Sequence, residues 1–488
     1  MFAAMTSVAL VGVEPRPVRV EAHVGRADRA SFHIVGLPDP AVREAKERVR
    51  AALIASQYHL GQRRITVNLS PADLPKGGTA YDLPMALAVI AAAGYEEIPT
   101  VVALGELALD GKVRPTRGGL GAALVARRLD TRCVLPPEGA GEALAAGSTN
   151  VAAATSLAEA IAVARGVSTG AAVVPEIGHS PEVRDLAEVR GQGMARRALE
   201  VAAAGGHHLF MAGPPGSGKT MLARCMPGIL PPLPDDARSE VAMAWAAAGR
   251  PRPPGNEAPF RAPHHSATMA ALVGGGTGVP VPGEVTLAHN GVLFLDELGE
   301  YPGHLLDALR QPLEEGSLVV ARKGASIEFP ARFQMVAATN PCPCGYSGDR
   351  LVSCRCGPRA VDKYRRRLSG PLMDRFDLRV RVARLDADEL SGPPGESSEH
   401  VRSRVAAARR RQHGRGRLNR VLSRSQLDAL VWEPAAMQRL VDSVAKVALT
   451  ARGWDRVRRV AVTVADLADA DVVREAHLGE ALAYRGTE

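Results

Sequence analysis

The spacing of apolar positions changes along the chain, and the changes divide it. At 18–24 and 31–35 apolar and polar residues alternate as in half-buried strands, 41–56 repeats with helical period, and 64–69 alternates again. A Pro/Gly-rich loop runs through Gly78, and 83–93 reads as an apolar helix stopped by Gly94. These elements predict an α+β domain over residues 1–165. Residues 166–187 read as a linker. A helix then ends at Gly205-Gly206, and 207–212, H-H-L-F-M-A, is a short apolar run of buried-strand length. Similar runs at 291–295 and 334–339 are of the kind that forms buried strands in a parallel sheet, predicting an α/β core over 188–390. The stretch 391–398, S-G-P-P-G-E-S-S, reads as a flexible hinge, and helical periods at 401–412, 425–430, 435–449 and 457–469 fill a helical unit over 391–488.

The run at 207–212 leads into Gly213-Pro214-Pro215-Gly216-Ser217-Gly218-Lys219-Thr220, a G-x-x-x-x-G-K-T signature followed by a helical pattern. A strand, a Gly-rich turn and a helix N-terminus aim backbone N–H groups and the positive helix dipole at phosphate. This predicts an ATP site in which Lys219 reaches the β/γ-phosphates and Thr220 ligates Mg²⁺. The run at 291–295 ends in Asp296-Glu297, two carboxylates at the C-terminal end of a buried strand, where α/β sheets place ligands. Asp296 is the expected Mg²⁺ partner and Glu297 the residue that polarises the attacking water.

Composition changes the picture in three places. Only seven of the 60 basic residues are lysines, so Lys219 and Lys323 stand out in a chain that otherwise uses arginine. The net charge of +8 is uneven: residues 351–488 carry +9, with clusters at 365–367 and 402–424, which makes a polyanionic partner plausible. Four of six cysteines crowd into 342–356 as Cys342-x-Cys344, nine residues, then Cys354-x-Cys356. Two close thiol pairs suit tetrahedral zinc, although C-x-C is tighter than the usual spacing, and redox-active or free cysteines are the alternative. No apolar run is long enough to span a bilayer and no secretory leader is evident, so a cytoplasmic protein without a membrane partner is expected.

Several segments resemble known families. Residues 75–82, P-K-G-G-T-A-Y-D, and 105–115, G-E-L-A-L-D-G-K-V-R-P, look like the proteolytic domain of Lon proteases. That family carries a Ser where this chain has Ala80, and a Lys after its G-G-L segment where this chain has Gly121-Ala122-Ala123. A Ser–Lys hydrolase needs both nucleophile and base, so the expectation is a Lon-like fold without proteolysis. Ser70 and Lys76 are read as turn residues rather than a substitute dyad. The segment from Asp185 onward resembles AAA+ ATPases. In their pattern Asn340 corresponds to the first sensor, Arg375 within G-P-L-M-D-R-F-D-L to the arginine finger of a neighbouring subunit, and Arg452 to the second-sensor arginine, with Arg459 in reserve. The 391–488 unit would be the helical lid.

The branch is the Mg-chelatase-like one. With the Lon-like module included, nearly the whole chain resembles the ComM/YifB family, most specifically at F-R-A-P-H-H-S (260–266), P-G-E-V-T-L-A-H-N-G (282–291) and N-P-C-P-C-G (340–345). The resemblance implies a homo-hexameric ATPase acting on branched or single-stranded DNA without sequence preference. It further implies a branch-migration helicase of natural transformation, with other recombination proteins as candidate partners. The alternatives are a magnesium-chelatase-type motor subunit and an ATP-driven protein remodelling factor. Residues 316–329 read as a β-hairpin with Arg322, Lys323 and Gly324 at its tip. In related helicases such a hairpin enters the central pore, which makes Arg322 and Lys323 the expected DNA contacts.

Overall fold

A computed structural model describes residues 1–74, 76–173, 183–251, 255–276, 280–322, 325–349, 351–368, 370–446 and 449–485, with Arg322, Ala325, Arg365 and residues 445–446 described in backbone only. The N-terminal α/β module is built on a seven-stranded sheet. Its order is Ser31–Val35, Arg63–Ser70, Glu14–Arg26, Phe2–Val11, Val102–Ala103, Cys133–Leu135 and Val151–Ala153. Phe2–Val11 and Glu14–Arg26 form a long antiparallel pair, from Phe2 opposite His23 to Val11 opposite Glu14. Helices Pro40–Ala55 and Asp82–Ala93 cover one face, sharing a core with Val18, Val20 and Ala22. The second helix is buried on nearly all sides, which is why it is apolar throughout rather than amphipathic, and Gly94 ends it at φ +76°.

The other face carries Gly119–Arg128 and Pro137–Ala145. Ala80 packs in the same apolar cluster as Ala122 and Ala123. The positions where the Lon pattern would set nucleophile and base are therefore filled by small apolar side chains of one cluster. Lys76 is buried and its ammonium donates to the Pro71 carbonyl, while burial lowers its pKa. Among the described residues no hydrogen bond joins it to Ser70.

The second sheet has five parallel strands in the order Phe260–Arg261, Val292–Leu295, Gln334–Thr339, Leu209–Ala212, Leu378–Arg381. Its three central strands are apolar without alternation because both faces are covered. Leu209, Met211, Val292, Phe294, Val336 and Ala338 face one core, shared with helices Gly193–Gly205 and Lys219–Ile229 and with the C-terminal helices. Phe210, Leu293, Leu295, Met335 and Ala337 face the other, which includes Leu318, Val320, Ile327 and Phe329 of the antiparallel hairpin Ser317–Arg322/Ala325–Pro330. The hairpin is thus present as expected, and its Lys323-Gly324 tip lies outside the described residues. The N-terminal module grips the same region. A Cβ on Gly12, in the turn after Phe2–Val11, would lie 2.7 Å from Ile327 Cγ2, and Leu120 packs with Met243 of helix Asp235–Ala247.

Two compositional readings are revised. The 391–398 stretch is tied down rather than hinge-like, because Arg190 donates to the Leu390 and Gly392 carbonyls at 3.0 and 2.8 Å and Arg196 to the Glu396 carbonyl at 2.8 Å. The basic run at 402–424 is largely occupied within the chain. Arg404 pairs with Glu200 and Glu396, Arg411 with Asp469 and Asp471, and Arg415 with Asp466. Arg409 is half-buried and donates to the Ala203 carbonyl, and Arg424 meets Asp455. These arginines join the helices Ser398–Gly414 and Ala451–Leu467 to their surroundings, which linear charge counting cannot distinguish from a free basic face. No helix among the described residues is long and apolar enough to cross a membrane.

Candidate nucleotide site and cysteine cluster

The P-loop needs its three glycines for two separate reasons. Gly216 and Gly218 have φ of +75° and +91°, a conformation that L side chains rarely adopt. Gly213 has an ordinary φ, but a Cβ there would sit 2.1 Å from the Val382 carbonyl oxygen. The turn then releases into helix Lys219–Ile229, which begins at the lysine itself.

Inside the turn, Lys219 Nζ donates to the Gly213 and Pro214 carbonyls at 2.7 and 2.8 Å and to Asn340 Oδ1 at 3.3 Å. Burial pulls the ammonium down to about 8, opposed by the nearby carboxylates of Asp296 and Glu297. Ser217 Oγ is buried and has no hydrogen-bond partner among the described residues. A buried hydroxyl and a partly desolvated ammonium beside a helix N-terminus fit phosphate oxygens. Thr220 Oγ1 donates to Asp296 Oδ2 at 2.7 Å. Two oxygens this close suit neighbouring ligands of Mg²⁺, whose bonds of about 2.0–2.1 Å set cis oxygens about 3 Å apart.

Glu297 follows with φ +51°, an uncommon conformation for a non-glycine residue, and its N–H donates to Asp296 Oδ1 at 2.9 Å. Its exposed carboxylate lies 3.4 Å from His265 Nδ1. His265 stacks against His264 with ring centroids 4.1 Å apart, and Tyr301 donates to the Pro263 carbonyl at 2.5 Å. Arg261 makes a bidentate pair with Glu284 at 2.5 and 2.8 Å and lies over the Trp245 ring. The F-R-A-P-H-H-S and P-G-E-V-T-L segments are therefore one unit, and it orients Glu297. Sequence reasoning missed this role of His265; a His-His pair just beyond an edge strand was the available signal. Gln192 was also missed: its amide donates to the Ala383 and Ser217 carbonyls at 2.6 and 3.3 Å, linking the loop before helix Gly193–Gly205 to the P-loop.

Lys219, Thr220, Asp296, Glu297 and Asn340 thus converge. The two remaining arginine candidates stand elsewhere. Arg375 pairs with Glu314 and donates to the Pro371 carbonyl, so its ion-pair partner is neither Asp374 nor Asp377. Arg452 is exposed at the start of helix Ala451–Leu467, beside Arg456, which lies 3.6 Å from Asp377. Among the described residues no hydrogen bond connects either arginine to the P-loop of its own chain. Arg459 donates to the Leu422 carbonyl at 2.8 Å inside the helical unit.

The cysteines come together as their spacing implies. Cys342, Cys344, Cys354 and Cys356 offer sulfurs that all lie within 4.8 Å of one another. Three of the separations are 3.4, 3.6 and 3.7 Å, far longer than an S–S bond. Sulfurs bound to one tetrahedral ion at about 2.3 Å are about 3.8 Å apart. Cys342 is fully buried, and the N–H groups of Ser347 and Cys356 point at Cys342 and Cys354 sulfurs at 3.3 and 3.4 Å. The cluster could hold a metal ion.

Family models match all three parts: the magnesium chelatase subunit ChlI over residues 185–390, a further ChlI subunit model over 20–139, and the ChlI C-terminal model over 395–485. The chain is 40% identical over 501 residues to the competence protein ComM of Haemophilus influenzae, covering 99% of this chain and 97% of that protein. It is 40% identical over 491 residues to YifB of Escherichia coli, covering 98% and 96%. The chain belongs to the ComM/YifB family of Mg-chelatase-like AAA+ proteins. By contrast, similarity to the magnesium-chelatase 38 kDa subunit of Acidiphilium rubrum, also 40%, is confined to 60 residues, 12% of this chain. Membership of the ComM/YifB family implies ATP and Mg²⁺ as ligands of the site just described.

Proposed function

We propose that this protein is an ATP-driven DNA motor, working as a homo-hexamer and moving branch points in recombination intermediates. The observation that carries the reading is how the hairpin joins the site. Its second strand, Ala325–Pro330, leads into Gln334–Thr339, and the next residue, Asn340, touches Lys219. Its first strand follows helix Arg310–Glu315, whose Glu314 holds Arg375. A basic tip at Arg322 and Lys323 would bind phosphate without reading bases. Any shift at Asn340 or Arg375 is then passed to that tip.

In this reading Lys219 and the P-loop N–H groups bind the phosphates, Thr220 and Asp296 hold Mg²⁺, and Glu297, steadied by His265, accepts the proton of the attacking water. Mg²⁺ supplies neutralisation of charge on the β/γ-phosphates. Arg375, without a hydrogen bond to its own P-loop among the described residues, serves the site of an adjacent subunit, and Arg452 is the second-sensor arginine of the lid. The N-terminal module, Lon-like in pattern with Ala80 in the same apolar cluster as Ala122 and Ala123, cuts nothing and braces the hairpin through Gly12 and Val13. The four thiolates hold one structural Zn²⁺, and the protein works in the cytoplasm. The full-length match to ComM, against 12% coverage by the chelatase subunit, favours DNA over a porphyrin partner.

The test is ATP turnover with and without four-way junction DNA. Stimulation is expected for the wild type and should disappear in Arg322→Ala/Lys323→Ala, with the basal rate and assembly retained. Undiminished stimulation in the double mutant would remove the hairpin from DNA contact.

A further inference from the structure

The cysteine cluster and the P-loop touch through one backbone turn. At Gly345 φ is +86°, and a Cβ there would lie 2.5 Å from Pro215 Cδ and 2.7 Å from its Cγ. The Gly345 N–H donates to the Cys342 carbonyl at 2.9 Å, so the contact follows directly from where Cys342 sits, two residues beyond Asn340. The opposite flank of the P-loop is fixed by Val382 against Gly213 and by Ala383, through Gln192, against Ser217. Arg384, next in the chain, reaches back to the cysteine turn: it lies 3.6 Å from Asp349, and its guanidinium is 5.8 Å from the Tyr346 ring centroid. Asp349 in turn accepts the N–H groups of Leu351 and Val352 at 2.8 and 2.9 Å.

The turn has little else to hold it. Between Thr339 and Pro358 the described residues form neither helix nor strand, and Cys344, Cys354 and Cys356 are only half-buried. Irregular stretches this long, with so little apolar surface to bury, need a cross-link to keep one shape. Tetrahedral thiolate coordination would supply four bonds where packing supplies few.

We propose that a thiophilic divalent cation of the zinc class at these four cysteines sets nucleotide affinity, by fixing the turn that presses Gly345 against Pro215 and so holding the P-loop in its phosphate-binding shape. This rests on the zinc reading above and extends it: the metal is a brace for the ATP site, and Gly345, Asp349 and Arg384 are the positioning residues that transmit it.

The experiment uses the full-length chain. Zinc is measured by elemental analysis, and binding of a fluorescent ATP analogue is titrated before and after a zinc-selective chelator, with Mg²⁺ restored and ZnCl₂ added back. About one zinc per chain is expected. Its removal should weaken the analogue about tenfold or more, with recovery on adding zinc. Gly345→Val should keep its zinc yet show the same weakening, because its side chain displaces Pro215 without touching a ligand. Absence of zinc would overturn the metal reading itself. Equal affinity in zinc-loaded and zinc-free protein would overturn the brace while leaving the metal. Should the chelated protein lose its near-UV circular dichroism, Gly345→Val decides: weakened binding with zinc retained supports the proposal, and unchanged binding contradicts it.

Discussion

Lys219→Ala loses ATP: its Kd for MgATP should rise about 10²- to 10⁴-fold, the effect of removing two charge-assisted hydrogen bonds at about 1.5–3 kcal/mol each. The ammonium is positioned for this by the Gly213 and Pro214 carbonyls and by Asn340. Its environment adds a pH signature. Burial holds the free site's lysine down to about 8, and phosphate oxyanions would raise it by favouring the charged form. Bound protein therefore keeps a proton that free protein loses, and wild-type affinity should fall by up to about tenfold per unit as pH rises past 8. Isothermal titration at pH 7, 8 and 9 measures both effects. The defect is also local to one subunit. Mixing Lys219→Ala with Arg375→Ala should restore part of the turnover that each lacks, because the proposed hexamer, mixed from both, would contain interfaces with an intact P-loop facing an intact arginine.

Glu297→Gln should separate binding from chemistry. The amide keeps the size of the side chain and its place beside His265, so MgATP affinity should stay within about threefold of wild type. It cannot accept a proton, and turnover should drop about 10²- to 10⁴-fold, the usual contribution of a positioned general base. The left-handed backbone at Glu297 places its carboxylate beyond Asp296, with the Asp296 Oδ1 accepting its N–H. Single-turnover hydrolysis with an accompanying binding titration tests this. Turnover near the wild-type rate would assign the base to another group.

How much of this was legible beforehand depends on how local each feature is. The P-loop, the strand bearing Asp296 and the strand before Asn340 could be read because their motifs are contiguous and their burial leaves an unbroken apolar run. The hairpin was legible through its alternation. The cysteine cluster was legible through pairing in sequence, whereas the contact of Gly345 with Pro215 joins segments about 130 residues apart and leaves no periodic trace. Strand Phe2–Val11 escaped for a different reason. Central in its sheet and rich in alanine, it has apolar residues toward both faces and so no period of two. Long-range ion pairs were opaque as well. Arg375 finds Glu314 61 residues away, and several arginines of 402–424 find acids in other segments, so a run that reads as a free basic surface is largely paired within the chain. Similarly, His265 became a partner of Glu297 only once the edge strand Phe260–Arg261 was seen beside Val292–Leu295.

The proposed activity is the conversion of ATP hydrolysis into movement of a DNA branch point. The direct measurement follows a four-way junction with fluorescently labelled arms, incubated with purified full-length protein, Mg²⁺ and ATP. Resolution into two duplexes that requires hydrolysable ATP, is absent with Glu297→Gln, and weakens steeply with salt is the predicted result. A wild-type preparation that hydrolyses ATP yet leaves the junction intact at every protein concentration, while an unfolded protein or a porphyrin-handling partner stimulates its turnover, would contradict it.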